Sequence, residues 1–213
     1  RAVAAPDVHA QLVAMGLSYL SNSGIVDVAQ PLLDRLAELS GELVRLSVID
    51  GDRLTWVARA QGARQGLRYD PDMGSDARLS CSASGHAWLM TLSDEQALAL
   101  VAQQGLGQSS DYGPNAPSSL QEVLQCVKAA RERGYSLTVE TFTAGLNAIG
   151  APVCLSGQSA MGVVTIAGPS ARFTEEKMKA MASELVAMAG QLAAASRASP
   201  FFNKRLPDGT RQG

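Results

Sequence analysis

Apolar positions along the chain follow two rhythms. From residue 44 to residue 59 they alternate. Val44, Leu46 and Val48 are separated by Arg45 and Ser47, and Leu54, Trp56 and Ala58 are interleaved with Arg53, Thr55 and Arg59. A period of two predicts two strands with one apolar face each. Asp50-Gly51 lies between them, and a tight hairpin turn needs the positive φ that glycine supplies. Alternation returns over residues 135–141, with Tyr135, Leu137 and Val139 set against Ser136, Thr138 and Glu140. It continues over 146–155 and 160–168, predicted to form a second hairpin around Ser156-Gly157.

Elsewhere the apolar positions recur every three or four residues, the spacing of a helix with one buried stripe. Val8, Leu12, Met15 and Tyr19 predict a helix over 7–20, capped by Asp7 and ended by Ser21-Asn22-Ser23-Gly24. Leu32, Leu33, Leu36 and Leu39 predict another over 28–40. Asp27 is its expected cap, Pro31 falls in its first turn, and Gly41 stops it. Two capping boxes, Ser93-Asp94-Glu95-Gln96 and Ser119-Leu120-Gln121-Glu122, start helices that end near residue 104 and at Gly134. Thr174 caps a long final helix whose stripe is Met178, Met181, Ala182, Leu185, Met188 and Leu192. Residues 61–79 are rich in Gly, Arg and Asp and predict a short strand near 67–69 inside a long loop. Strands cluster in runs joined by tight turns, so the expected class is α+β, a mostly antiparallel sheet flanked by helices.

Composition narrows the function. The 213 residues are 46% hydrophobic and 18% charged, which excludes a disordered chain. The formal net charge of −2 lacks the basic footprint of a free-standing nucleic-acid-binding domain. No apolar run reaches membrane-spanning length and no signal-peptide pattern is visible. Cys81, Cys126 and Cys154 are odd in number and widely spaced, as in a reducing cytoplasm. With His9 and His86 the sole histidines and no Cys-x-x-Cys, zinc ligation is not expected, nor is any other cofactor.

The chemistry points to the run Ser80-Cys81-Ser82-Ala83-Ser84-Gly85-His86-Ala87-Trp88-Leu89-Met90. Hydroxyl and small residues open a helix expected to reach about residue 92, and its free N–H groups and dipole suit an anion. Small or hydroxylated positions also share sheet faces: Leu146, Ala148 and Gly150 on one strand, Val163, Thr165 and Ala167 on the next, with Thr138 nearby. Such a face either leaves a cavity for a small ligand or lets a helix approach closely; the residues alone leave both open. Cys81 and His86 are the one nucleophile–base pair available. Gly-x-Ser-x-Gly and paired carboxylates are absent, so no catalytic residue is assigned.

Three blocks, in order and spacing, resemble the C-terminal effector-binding half of IclR-type bacterial transcriptional regulators. They are Leu36-Ala37-Glu38-Leu39-Ser40-Gly41-Glu42-Leu43-Val44-Arg45-Leu46, then Cys81 to Leu89 followed by Leu92-Ser93-Asp94-Glu95. The third is Arg133-Gly134-Tyr135-Ser136 with Glu140, Gly145-Leu146-Asn147-Ala148-Ile149-Gly150-Ala151-Pro152-Val153 and Gly168-Pro169. The resemblance covers residues 13–195. It implies a GAF-like domain over 23–198 and a linker helix region over 1–22; residues 199–213, by their polar composition, are expected to form a disordered tail. It also implies an N-terminal winged helix-turn-helix upstream of Arg1 that carries operator DNA binding, and a homodimer or homotetramer with no membrane partner. A small organic effector, carboxylate or aromatic, would meet Ala83, Ser84 and Gly85 at the helix start, and Thr138, Leu146, Ala148, Thr165 and Ala167 on the sheet. Tyr69, Met73 and Leu79 would close the pocket from the loop. The chain departs from the family at Arg78-Leu79-Ser80, where many relatives have Pro-Leu-His. His86 replaces the usual lysine, and Thr138 occupies a position acidic in some relatives; these changes imply a different effector. The leading expectation is an effector-sensing regulatory domain, with a GAF-like sensor for a non-DNA partner and a Cys81-dependent hydrolase as alternatives.

Overall fold

The computed structural model describes residues 25–66, 68–69 and 75–196. The expected linker helix over 7–20, Met73 and the tail over 199–213 lie outside them. Six elements form the frame: helix α1 (Ile25–Ser40), strands β1 (Leu43–Asp50) and β2 (Arg53–Gln61), and helices α2 (Ala83–Leu89), α3 (Asp94–Gln104) and α4 (Leu120–Arg133). Strands β3 (Ser136–Val139), β4 (Leu146–Val153) and β5 (Gly162–Pro169) and helix α5 (Glu175–Ser196) complete it. The five strands form one antiparallel sheet in the order β2-β1-β5-β4-β3. The expected α+β class holds. Helices α1 and α5 cover one face, and α2, with α4 against it, covers the other.

Each face has its own core. Beneath α1 and α5 lie Leu33, Leu36, Val44, Leu46, Ile149, Val164, Ile166, Phe173, Met178 and Leu185. Leu33, Leu36 and Leu185 are fully buried, each worth about 1.5–3 kcal/mol of transfer free energy. The opposite core holds Leu54, Trp56, Leu79, Ala87, Trp88, Leu89, Val101, Val123, Val127 and Val163. The Glu42 carboxylate ties the start of β1 to the turn after β5. It accepts hydrogen bonds from Arg172 Nε at 2.7 Å and Nη2 at 2.9 Å.

Local signals mark several element ends. Ser93 and Gln96 complete a reciprocal capping box on α3, and Gly134 closes α4 at φ +80°. Other expectations are corrected. Helix α1 already includes Ile25, so Asp27 lies inside it rather than capping it, and Pro31 falls beyond its first turn. Only half of the second capping box forms. Ser119 Oγ accepts from Glu122 N, while the Glu122 carboxylate accepts from Ser118 N and Oγ. Helix α2 stops at Leu89 rather than residue 92, because Thr91 and Leu92 N–H groups take tighter bonds to Trp88 and Leu89 carbonyls. The Arg131 guanidinium also donates to the Met90 and Leu92 carbonyls.

Two strands depart from simple alternation. The β1–β2 register shifts between Leu46 and Ser47: Leu46 faces Ala58, but Ser47 faces Trp56. Val57 is the extra residue, and a bulge changes which face the strand presents. Leu54 and Trp56 therefore point into the α2-side core, while Ala58 and Ala60 join the α1–α5 core. Leu54, Trp56 and Ala58 do not share a face as expected. Strand β3 ends at Val139 because Glu140 turns to φ +50°, so Glu140 does not continue the face of Ser136 and Thr138. Its carboxylate instead accepts the Gly145 N–H at 2.9 Å. Arg68 and Tyr69 are not in a strand; the pairing next to β2 is a single bridge between Thr55 and Asp76.

Candidate functional site

On the α2 side of the sheet the small residues divide between a close helix approach and an open space. At Gly150 the helix approaches closely: an added Cβ would lie 2.8 Å from the Ala83 carbonyl oxygen and 2.8 Å from Ser136 Oγ. Ser136 Oγ locks this contact by donating to the Ala83 carbonyl at 2.7 Å. Toward the other end of β4 and β5 the cover lifts and leaves a cavity. It is lined by Arg45, Ser82, Ala83, Ser84, Thr138, Phe142, Leu146, Ala148, Thr165 and Ala167. Its volume is about 20 Å³, roughly the room one ordered water needs.

Seven of the expected positions meet at this cavity: Ala83, Ser84, Thr138, Leu146, Ala148, Thr165 and Ala167. Gly85 and Leu79 stand behind its wall. A Cβ on Gly85 would lie 2.5 Å from Leu79 Cα, so this glycine permits the turn over residues 79–81 to pass beneath α2. Leu79 is fully buried in the core beside it. Tyr69 is half-buried and does not line the cavity itself; its ring centroid lies 5.7 Å from Arg45 Cζ.

Arg45, Ser82 and Phe142 were not expected. Arg45 is the informative one. In a strand of alternating character an arginine reads as the solvent face, but both faces of this sheet are covered. The side chain is 5% exposed and stacks on Trp56, with Cζ 4.0 Å from the ring centroid. Its Nε and Nη1 have no hydrogen-bond partner. Burial pushes its pKa below the usual arginine range; the Tyr69 phenol opposes this by charge and hydrogen bonding, and Arg59 adds a smaller like-charge repulsion. Such a guanidinium stays charged regardless. Phe142 meets Trp56 edge-on, with centroids 6.1 Å apart.

The hydroxyls around the cavity are already oriented. Thr138 Oγ1 donates to the Ala148 carbonyl at 3.2 Å, leaving an acceptor toward the cavity. Ser84 Oγ accepts from Trp56 Nε1 at 3.3 Å, and Ser82 Oγ accepts from Gly85 N at 2.9 Å. Both serines therefore keep their own protons to donate. A wider cleft of about 220 Å³ lies at the outer edge of α1 and β2, among Asp34, Glu38, Gln61 and Arg64. Its Arg64–Glu38 pair is exposed, 3.8 Å apart, and solvent already serves it.

The one nucleophile–base pair is not assembled. His86 Nε2 lies 2.8 Å from the Ser80 carbonyl, so that nitrogen carries the proton and donates it to backbone. Burial holds the imidazole below its ordinary pKa of 6.5. Burial also pushes the Cys81 thiol up to about 11. No group of three or more potential metal ligands occurs among the described residues. No helix among them is long and apolar enough to cross a membrane.

Comparison with known proteins places the chain. The family model described as the bacterial transcriptional regulator IclR C-terminal matches residues 17–194. The transcriptional repressor AllR of Escherichia coli K12 is 29% identical over 163 residues, 76% of this chain and 59% of the repressor. The chain thus spans a little under three-fifths of that relative's length. A solved transcriptional regulator from Rhodococcus covers 88% of this chain and 76% of its own, with a TM-score of 0.77 and 23% identity. The inducer-binding domain of PobR from Acinetobacter, solved as a double mutant with 3-hydroxybenzoic acid, covers 78% and 96%, with a TM-score of 0.67 and 21% identity. At these identities the solved structures share the fold.

Proposed function

The chain belongs to the family of bacterial transcriptional regulator IclR C-terminal domains, and on that premise we propose that it senses a small organic effector and passes the signal to a DNA-binding domain. The observation that carries this is the cavity between α2 and the sheet, where residues from β3, β4, β5 and α2 converge. Half of its ten lining residues are apolar, and its serine and threonine hydroxyls are held by hydrogen bonds, a mix that suits a small molecule with an apolar body and polar substituents. We assign Ala83, Ser84, Thr138, Leu146, Ala148, Thr165 and Ala167 to the effector, with Gly85 and Leu79 shaping the wall and Tyr69 toward its rim; Met73 lies outside the described residues and is kept as an effector contact from the family resemblance alone. PobR's solved inducer-binding domain holds an aromatic acid, which supports this class of ligand.

An effector that fits one arrangement of these walls better than another shifts the balance between the two. Only such unequal affinity can transmit a signal. The readout is a change in operator binding by a winged helix-turn-helix domain. Residues 1–22 would act as its linker, in a cytoplasmic homodimer or homotetramer. The high thiol pKa of Cys81 and the backbone-bound His86 favour a sensor over a hydrolase.

The test is a thermal-shift and calorimetric screen of small carboxylates and aromatics on the wild-type chain and on Ser84→Trp. A sensor gains melting temperature with at least one compound, since a ligand that prefers the native state stabilises it. Ser84→Trp fills the cavity and abolishes that gain. An unchanged affinity in Ser84→Trp sinks the pocket assignment.

A further inference from the structure

We propose that Arg45 determines specificity at this cavity and that the molecule it selects carries a carboxylate. The proposal rests on the sensor reading above and names the chemistry of its ligand. Arg45 is the one charged side chain among the described residues that line the cavity. It is 5% exposed, yet Nε and Nη1 lack partners. A buried guanidinium with unmet donors is costly, and proteins retain such a group where a counter-charge is supplied. Among the described residues the Tyr69 phenol is the polar group beside the guanidinium and no carboxylate reaches it, so the counter-charge is assigned to the ligand.

The surroundings choose the kind of anion. Trp56 covers one face of the guanidinium and leaves its edge for an acceptor. The free protons of Ser82 and Ser84 add neutral donors nearby. The remaining wall is hydrocarbon from Ala83, Leu146 and Ala148. An inorganic oxyanion would set bare oxygens against those methyls. A carboxylate on a small carbon frame presents oxygens to Arg45 and carbon to the alanines. Thr138 Oγ1, already donating to Ala148, offers the ligand an acceptor and so suits a hydroxyl or keto-acid enol on the same frame.

Matched acids and amides test this by calorimetry and thermal shift: pyruvate, benzoate and 3-hydroxybenzoate against pyruvamide, benzamide and 3-hydroxybenzamide, with inorganic phosphate alongside. The wild type is expected to bind at least one acid more tightly than its amide, by about tenfold to a hundredfold, and to ignore phosphate. Arg45→Met loses that preference, and Arg45→Lys retains part of it by keeping the charge without the fork. If Arg45→Met does not fold, the Arg45→Lys affinity decides: an unchanged value overturns the proposal. Amides binding as well as acids, phosphate stabilising as well as benzoate, or acid preference surviving in Arg45→Met each overturn it while leaving the sensor reading intact. Failure of all six organic compounds, with Ser84→Trp behaving as wild type, overturns both.

Discussion

Glu42 and Arg172 form a two-bond ion pair across the fold, at 2.7 Å and 2.9 Å, with the carboxylate 2% exposed and the guanidinium 34% exposed. The pair joins residues 130 positions apart, at the entrance to β1 and the exit from β5. Lys177 Nζ is the next cation, 3.9 Å from Glu42. Removing Arg172 would leave a buried carboxylate held by one distant, half-exposed amine. Arg172→Ala is therefore expected to destabilise the chain by about 3 kcal/mol. Urea unfolding followed by circular dichroism measures this; a loss below about 1 kcal/mol would show that water serves Glu42 as well as Arg172 does.

Gly85→Ala tests the floor under the cavity. The added methyl would sit 2.5 Å from Leu79 Cα and 2.6 Å from the Leu79 carbonyl oxygen, both backbone atoms that cannot swing away. The expected cost is about 1–3 kcal/mol from overpacking. Gly134→Ala is the contrast. An added Cβ meets nothing within 4 Å there, and its cost comes from φ +80° alone. Thermal melts of the two variants separate crowding from backbone strain.

His86 makes stability depend on pH. Its folded pKa lies below 6.5, chiefly through burial. The unfolded chain therefore takes up a proton that the folded chain refuses. The neutral imidazole's contribution is complete above pH 6.5. It is lost as pH falls from there toward the folded value, at up to about 1.4 kcal/mol per pH unit. Urea midpoints should fall between pH 7.5 and pH 5.5. His86→Gln, which retains a donor for the Ser80 carbonyl, should flatten that slope. An equally steep slope in the variant would assign the effect elsewhere.

Cys81 should resist alkylation in the native state. It is 1% exposed, and a thiol with a pKa of about 11 is ionised to about one part in a thousand at pH 8. Iodoacetamide at pH 8 followed by mass spectrometry should label the partly exposed Cys154 and Cys126 first and reach Cys81 only in urea. Rapid native labelling of Cys81 would revive the hydrolase alternative.

The locally encoded features were legible along the chain. The first hairpin announced itself through Gly51, which takes φ +63°, although the turn sits one residue later than Asp50-Gly51 predicts: Asp50 pairs with Arg53, and the loop positions are Gly51 and Asp52. The Ser93 box and the Gly134 stop were equally plain, since their donors and acceptors lie within four residues. Most of the cavity lining could also be named, because Ala148, Thr165 and Ala167 are conspicuously small or hydroxylated on faces set by a period of two.

What sequence alone determined, then, is the set of elements, the α+β class, the antiparallel pairing of neighbours and the family, all of them carried by contacts near in sequence or by ordered motifs. Tertiary structure alone decided which faces are dry. The bulge at Val57 turns Trp56 toward α2, and Glu140 at φ +50° ends β3 early. Those two adjustments depend on pairing with distant strands and loops. The same holds for the run that opens on Ser82, a seven-residue helix whose Gly85 passes over Leu79. Above all, the pattern places Arg45 on a polar face, and only helices packed on both sides of the sheet turn that face into an interior. A charge becomes expensive once water is removed, and burial is a property of the assembled layers rather than of the strand that carries the residue.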